Sequence, residues 1–130
     1  MNINEKAEYA AQLKREGRCN CCQAVTAVLA DETHLSQEQL MKLASGFAVG
    51  MGNMEATCGS LIGAAMVAGM KTDGAGTVRF TRALSERFSQ LCGAVTCKDL
   101  KGKGKPGVFC PCDECVKNAV LAYGEIFGVK

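Results

Sequence analysis

The sequence has no tryptophan, only two tyrosines and a single histidine among its 130 residues. With so few aromatic side chains and a net charge of +2, a nucleic-acid surface is not expected, because such surfaces combine a basic face with stacking aromatics. The lone histidine, His34, leaves no Cys–His pair with protease or transferase geometry, and it is expected on the surface. No alternating run of β-branched residues is long enough to predict a sheet.

A long apolar run is absent as well. The longest uncharged stretch, residues 56–70, is shorter than the roughly 18 apolar residues that cross a bilayer, so it predicts a buried core helix and no membrane span. The first residues show no basic segment followed by an apolar one, and no secretory signal is predicted. The expected compartment is therefore the reducing cytoplasm, where thiols stay reduced unless they bind metal or take part in catalysis.

Cysteine, in contrast, is abundant: the chain contains nine cysteines. A domain of this length can bury a core without disulfide bonds, so stability alone does not account for them. An odd number also fits a purely disulfide-bonded framework poorly. They fall into four groups along the chain: Cys19, Cys21 and Cys22; Cys58; Cys92 and Cys97; and Cys110, Cys112 and Cys115.

Apolar residues recur at helical spacing, which predicts an all-α fold. We expect a single domain over residues 1–130, built as a bundle of five to six helices with cysteines at helix N-termini. Asn20 and Ser36 each stand three residues before a glutamine, a capping-box pattern that predicts helix starts at both positions. The glycine-rich residues 46–55 predict a tight connection, and the lysine–glycine alternation at 101–107 predicts an exposed flexible loop. The predicted helices begin near residues 4, 20, 36, 58, 75 and 113.

Four cysteines from distant segments lie in predicted first turns of helices: Cys22, Cys58, Cys97 and Cys115. Unpaired amide groups and the positive end of the helix dipole stabilise a thiolate there, and they lower the thiol pKa from about 8.5. We expect these thiolates to converge at one end of the bundle. Such a group would form either a metal site or a set of thiols able to exchange disulfides.

The segment from Cys110 to Cys115 is the sharpest local pattern, because it reads Cys-Pro-Cys-Asp-Glu-Cys. The proline and the following helix start bend the chain, so the three sulfurs can point toward one position, as soft metals and iron–sulfur clusters require. Cys110, Cys112 and Cys115 are therefore candidate metal ligands. Cys92, taken alone, is interpreted as an inert core residue.

Several of these segments together resemble a known family, the redox-active proteins labelled by the cysteine pattern C…GCAxxG…C…C. The resemblance spans roughly residues 18–127, and it includes the middle motif Cys-Gly-Ala-x-x-Gly with Ser60 in place of the alanine. It implies that the family's four key cysteines correspond to Cys22, Cys58, Cys97 and Cys115. The segments that carry it are residues 20–25, 55–63, 96–100 and 115–117.

The resemblance implies a redox role and a relation to the domain of split-Soret-type cytochromes that carries an iron–sulfur centre. No haem is expected, because the chain contains no Cys-x-x-Cys-His. Five cysteines exceed the family pattern and would supply a second site, replacement ligands or resolving thiols: Cys19, Cys21, Cys92, Cys110 and Cys112.

Three functions remain open from the sequence. The first is a redox protein, an oxidoreductase or electron carrier, whose four key cysteines bind an iron–sulfur cluster or cycle between disulfide and dithiol. The second is a zinc-binding structural or interaction module that uses the three cysteines of residues 110–115 and one distant cysteine. The third is a helical interaction protein with incidental cysteines. A redox partner protein is expected for the first, and a homodimer is left open.

Overall fold

Helices make up the structure, a computed structural model that describes residues 1–102 and 109–130. The described residues form no β-strand, which confirms the predicted all-α fold. Six helices begin close to the predicted positions, and a further one-turn helix, α6, follows α5. The helices are α1 (Ile3–Arg15), α2 (Cys21–Val28), α3 (Gln37–Ala44), α4 (Gly59–Lys71), α5 (Thr77–Cys92), α6 (Cys97–Leu100) and α7 (Cys112–Phe127).

The starts of α2 and α3 are fixed by their caps. The side chains of Asn20 and Ser36 accept hydrogen bonds from the backbone N–H groups of Gln23 and Gln39, and each glutamine side chain accepts one from the N–H of its cap. These reciprocal bonds satisfy amide groups that a helix start otherwise leaves open. The two predicted capping boxes are confirmed.

The connection between α3 and α4 is irregular, as its glycines predict. Its turn over Gly50–Met54 contains non-helical residues, and Val49, Met51 and Met54 have positive φ angles of 53°, 64° and 67°. Such backbone costs of the order of 1–3 kcal/mol per residue, so it persists only where the surroundings hold it. Here it is held against α6, because a Cβ on Gly50 would lie only 2.7 Å from the Cβ of Cys97.

The core lies between α4 and α7. Helix α7 packs against α1, α2, α4 and α5, and α4 packs against α2, α5 and α7. The helix predicted to be buried in the core, α4, is thus central together with α7. The two helices bury Val67 and Tyr123 completely, and α5 adds Leu84 and Phe88 to the same core. In this arrangement the end of α5 lies beside the first turns of α4 and α7, where cysteines are concentrated.

Two of the sequence predictions are not tested by the structure. The predicted lysine–glycine loop falls mostly on residues 103–108, which lie outside the described residues. The single domain over residues 1–130 stays a prediction. Among the described residues, no helix has the length and hydropathy that a bilayer span requires.

Candidate functional site

Three cysteine-bearing turns are held together by backbone hydrogen bonds. An isolated antiparallel bridge pairs Thr57 with Thr96. Around it, the N–H of Cys58 donates to the carbonyl of Val95 at 2.7 Å, and the N–H of Cys97 donates to the carbonyl of Ala56 at 3.0 Å. The N–H of Cys110 donates to the carbonyl of Leu100 at 2.7 Å. The starts of α4 and α6 and the segment before α7 are therefore fixed side by side.

Two glycines let α4 approach α2 closely. A Cβ on Gly59 would lie 2.6 Å from the sulfur of Cys21 and 2.1 Å from the carbonyl oxygen of Phe47. A Cβ on Gly63 would lie 3.0 Å from the carbonyl oxygen of Cys22. Only glycine fits at position 59 without a shift of the backbone, which explains how the start of α2 reaches the start of α4.

The most compact sulfur group is formed by Cys92, Cys110 and Cys115. Their Sγ atoms all lie within 4.8 Å of one another, and all three residues are buried. Metal–sulfur bonds of about 2.3 Å in a tetrahedral site place neighbouring sulfurs about 3.8 Å apart. Small shifts would therefore let the three sulfurs of this triad hold a metal ion.

Cys58 extends the triad toward α2. Its sulfur is within hydrogen-bonding reach of the sulfurs of Cys115 and Cys21. Five buried sulfurs from α2, α4, α5 and the 110–115 segment therefore form one continuous cluster, which we call the thiol cluster: Cys21, Cys58, Cys92, Cys110 and Cys115.

A cavity of about 170 Å³ opens beside the thiol cluster. Apart from the cysteines, the polar residues of its walls are Lys14, Lys101, Asn20 and Ser60. Lys101 Nζ contacts the sulfur of Cys112 at this cavity. Burial lowers the pKa of Lys101, but its hydrogen bond with Cys112 and the charges of nearby thiols raise it overall. Six cysteines line the cavity: Cys21, Cys58, Cys97, Cys110, Cys112 and Cys115.

Two members of the thiol cluster favour the thiolate. Hydrogen bonds with Cys115 and Cys21 lower the pKa of Cys58 to about 3, in spite of its burial. Hydrogen bonds with Cys110 and Cys115 lower the pKa of Cys92 to about 4, and Asn118 Nδ2 adds a bond to the Cys92 sulfur at 3.3 Å. The cluster thus carries negative charge where a cation would bind.

The other three members are held as thiols. Hydrogen bonding with Cys110, Cys58 and Cys92 raises the pKa of Cys115 far above its ordinary value. The pKa of Cys21 is raised by its hydrogen bond with Cys58 and by burial. For Cys110, a hydrogen bond with Cys115 lowers the pKa, but the bond with Cys92 and burial outweigh it and raise the value to about 12. These protons must leave when a metal binds.

The structure brings only part of the predicted four-cysteine site together. Cys58 and Cys115 lie in the thiol cluster, and Cys97 lines the cavity without belonging to the triad. The sulfur of Cys22 points instead to Met66 Sδ, 3.8 Å away on α4. The functional roles of these four residues stay predictions.

The predicted metal triad is likewise placed in part. Cys110 and Cys115 lie together, but Cys92 takes the third position, while Cys112 contacts Lys101 at the cavity. Cys92 was missed because a cysteine at the end of a helix carries no local motif. Cys21 was missed because the family pattern was matched to its neighbour. A two-turn helix such as α2 turns about 100° per residue, so its two adjacent cysteines face different neighbours.

The expectation that helix starts lower thiol pKa values is wrong for three of the four residues, and the pKa of Cys58 is lowered chiefly by hydrogen bonds with Cys115 and Cys21. Burial raises the pKa of Cys22 to about 12, and it also raises the pKa of Cys97. Hydrogen bonding to neighbouring sulfurs raises that of Cys115. Desolvation and proton sharing outweigh the favourable helix end at these sites.

Comparisons with known proteins give one finding. Neither the curated proteins nor the solved structures contain a match to the chain. A family model matches residues 19–126, which is most of the chain and includes every cysteine of the thiol cluster. The chain belongs to the family described as "Putative redox-active protein (C_GCAxxG_C_C)".

Proposed function

We propose that this protein is an electron carrier that binds an iron–sulfur cluster through its thiol cluster. The observation that carries the proposal is the meeting of three buried sulfurs from α5 and the 110–115 segment within 4.8 Å of one another, with the sulfur of Cys58 beside that of Cys115. The four ligands would be Cys58, Cys92, Cys110 and Cys115. This set keeps two of the residues predicted from the family pattern and replaces Cys22 and Cys97 on the basis of sulfur positions.

The residues present fit such a group. Iron–sulfur clusters are held by cysteine thiolates, and every donor in the triad is sulfur. The family's description names redox activity, which supports a cofactor that exchanges electrons over a metal that only holds the fold together. A bound cluster supplies one-electron transfer.

The residues of the chain have separate tasks in this proposal. Cys58 and Cys92 present thiolates, while Cys110 and Cys115 release protons as they become ligands. Burial of the sulfurs keeps water away from the centre, and Lys101 places positive charge near the anionic sulfurs. Solvent exclusion and nearby charge are among the factors that set a reduction potential.

A second candidate function is thiol–disulfide exchange, which the Cys92 thiolate favours. With thiols on two sides within 4.8 Å, Cys92 could form a disulfide with Cys115. Joining a thiolate and a thiol releases one proton and two electrons. A partner disulfide would accept both electrons, together with that proton and one from solvent, and become a dithiol.

Anaerobic isolation distinguishes these functions. We expect a coloured protein with iron and inorganic sulfide in comparable amounts, and loss of both in Cys115→Ala. Cys19→Ala is the matched control, since Cys19 borders a different cavity, with Tyr9 and Arg18. A colourless protein free of iron would refute the cluster. Stoichiometric zinc whose removal unfolds the chain would identify a structural zinc module, and a metal-free protein with a reversible disulfide would identify an exchange protein.

A further inference from the structure

Ser60 is a buried hydroxyl residue beside the thiol cluster. It is the second residue of α4, it has 0% exposure, and it lines the 170 Å³ cavity. Its Oγ makes no hydrogen bond of normal geometry within residues 1–102 and 109–130, and no other buried side-chain oxygen or nitrogen described there shares this condition. Buried polar groups are nearly always paired, so a hydrogen-bond partner is expected for this hydroxyl group at the cavity wall.

Other hydroxyl residues in the chain show what Ser60 lacks. Thr26, Thr72 and Thr81 each donate to the backbone carbonyl three residues earlier in their helix or turn. For Ser60 the corresponding residue is Thr57, which belongs to the extended bridge with Thr96 and precedes the helix. The hydroxyl of Ser60 thus has no helical carbonyl to which it can donate, and its hydrogen remains available to the site.

The candidate acceptor is the sulfur of Cys58. Ser60 lies two residues after Cys58, and both its hydroxyl and its backbone N–H are within hydrogen-bonding reach of that sulfur. Because a hydroxyl hydrogen rotates about the Cβ–Oγ bond, it can turn toward this sulfur. Cys58 would then receive two bonds from one residue, in addition to its metal bond.

We propose that Ser60 is a positioning residue whose hydroxyl donates a hydrogen bond to the metal-bound sulfur of Cys58, and that this bond raises the reduction potential of the site. The inference rests on the proposed function. A hydrogen bond withdraws electron density from a ligating sulfur, so it stabilises the more negative, reduced state of the metal centre. It also lowers the energy of the sulfur lone pairs.

The test uses cobalt(II) bound to the reduced, metal-free protein, with Ser60→Ala, Ser60→Thr and, as a control, the exposed Ser89→Ala. Without the hydrogen bond, the sulfur-to-cobalt charge-transfer band of Ser60→Ala should move to longer wavelength. Ser60→Thr keeps the hydroxyl and should restore the band of the natural protein, as should Ser89→Ala. In iron-loaded protein, Ser60→Ala should have a more negative reduction potential.

Thermal melting separates this role from a structural one. Because Ser60→Ala removes an unpaired polar group, the metal-free variant should melt at the same temperature as the natural protein or higher. An unchanged charge-transfer band and potential in Ser60→Ala would overturn the inference, as would a variant that melts lower or fails to fold. Absence of any cobalt–thiolate band in the natural protein would instead overturn the proposed function.

Discussion

The ionisation of Cys58 makes the stability of the metal-free protein depend on pH. The pKa of this thiol falls to about 3 in the folded chain from an ordinary value of 9.0. Between these values the unfolded chain holds a proton that the folded chain has released. The stabilisation is therefore complete above the unfolded pKa and is lost as pH falls toward 3.

We expect the free energy of unfolding of the reduced, metal-free protein to rise with pH between about 4 and 8, with up to about 1.4 kcal/mol per pH unit from Cys58. Serine does not ionise in this range, so Cys58→Ser should lose that part of the slope. Cys19→Ser should retain it. Urea unfolding at several pH values measures the slopes, and parallel curves for Cys58→Ser and the natural protein would contradict the assignment.

Variants of Cys92 and Cys22 test whether metal binding follows the observed sulfur positions or the family pattern. Cys92 belongs to the triad, whereas the sulfur of Cys22 contacts Met66. Cys92→Ala should weaken cobalt(II) binding more than about 100-fold, because loss of a ligand exceeds the effect of losing an outer-shell partner. Cys22→Ala should bind cobalt(II) normally and cost about 1 kcal/mol of stability as a core truncation. Competition with a chelator gives both affinities, and the reverse order would restore Cys22 to the site.

At the scale of elements, the first turn of α4 is the part of the fold on which the site most depends. It contacts α2 through Gly59, it carries Cys58 as its N-cap, and its preceding strand-like segment pairs with the segment before α6. A shift of this turn would therefore separate Cys58 from both Cys21 and Cys115.

Two glycines of α4 make this dependence measurable. Gly59→Ala places a Cβ 2.1 Å from the carbonyl oxygen of Phe47, so we expect a loss of more than about 2 kcal/mol in stability, together with weaker metal binding. Gly69→Ala meets nothing within 4 Å in the same helix, and it should stabilise the protein by about 0.5–1 kcal/mol. Urea unfolding compares the two. Equal effects would mean that the α2–α4 approach is looser than described.

Local chemistry explains which elements could be predicted from the sequence. The starts of α2 and α3 follow from Asn20 and Ser36, whose capping bonds lie within three residues of each other in sequence. The single turn of α6 was predicted only as a helix start at Cys97 and was not counted among the helices. It is held by its bonds to the Thr57 segment, and the side chain of Thr96 makes no capping bond. Long-range pairing of this kind leaves no local signal.

The residues of the candidate site could likewise be predicted only where their sequence signal is local. The 110–115 segment and Cys58 were predicted because their motifs are local. The meeting of Cys92 with Cys115 depends on how α5 packs against α7, and the choice between Cys21 and Cys22 depends on the rotation of α2 against α4. Periodicity gives the buried face of a helix, but not the partner that a given side chain reaches across the core.

For the whole molecule, metal binding should act as a cross-link between distant parts of the core. The proposed ligands come from α4, α5, α7 and the segment before α7. At a free zinc concentration 100 times the dissociation constant, we expect about 2.7 kcal/mol of added stability, seen as a higher melting temperature of the reduced protein. Cys115→Ala should show no such rise, whereas Cys19→Ala should. A rise that persists in Cys115→Ala would place the metal elsewhere.

The order of the ligands along the chain also bears on how the protein matures in the cell. When a nascent polypeptide has left the ribosome only as far as α5, Cys58 and Cys92 are outside, but Cys110 and Cys115 have not yet emerged. The centre can close only when the last helix docks, because domains fold as units once their chain is available. Metal binding at the proposed site would therefore follow the emergence of α7, and until then Cys58 and Cys92 are open to oxidation.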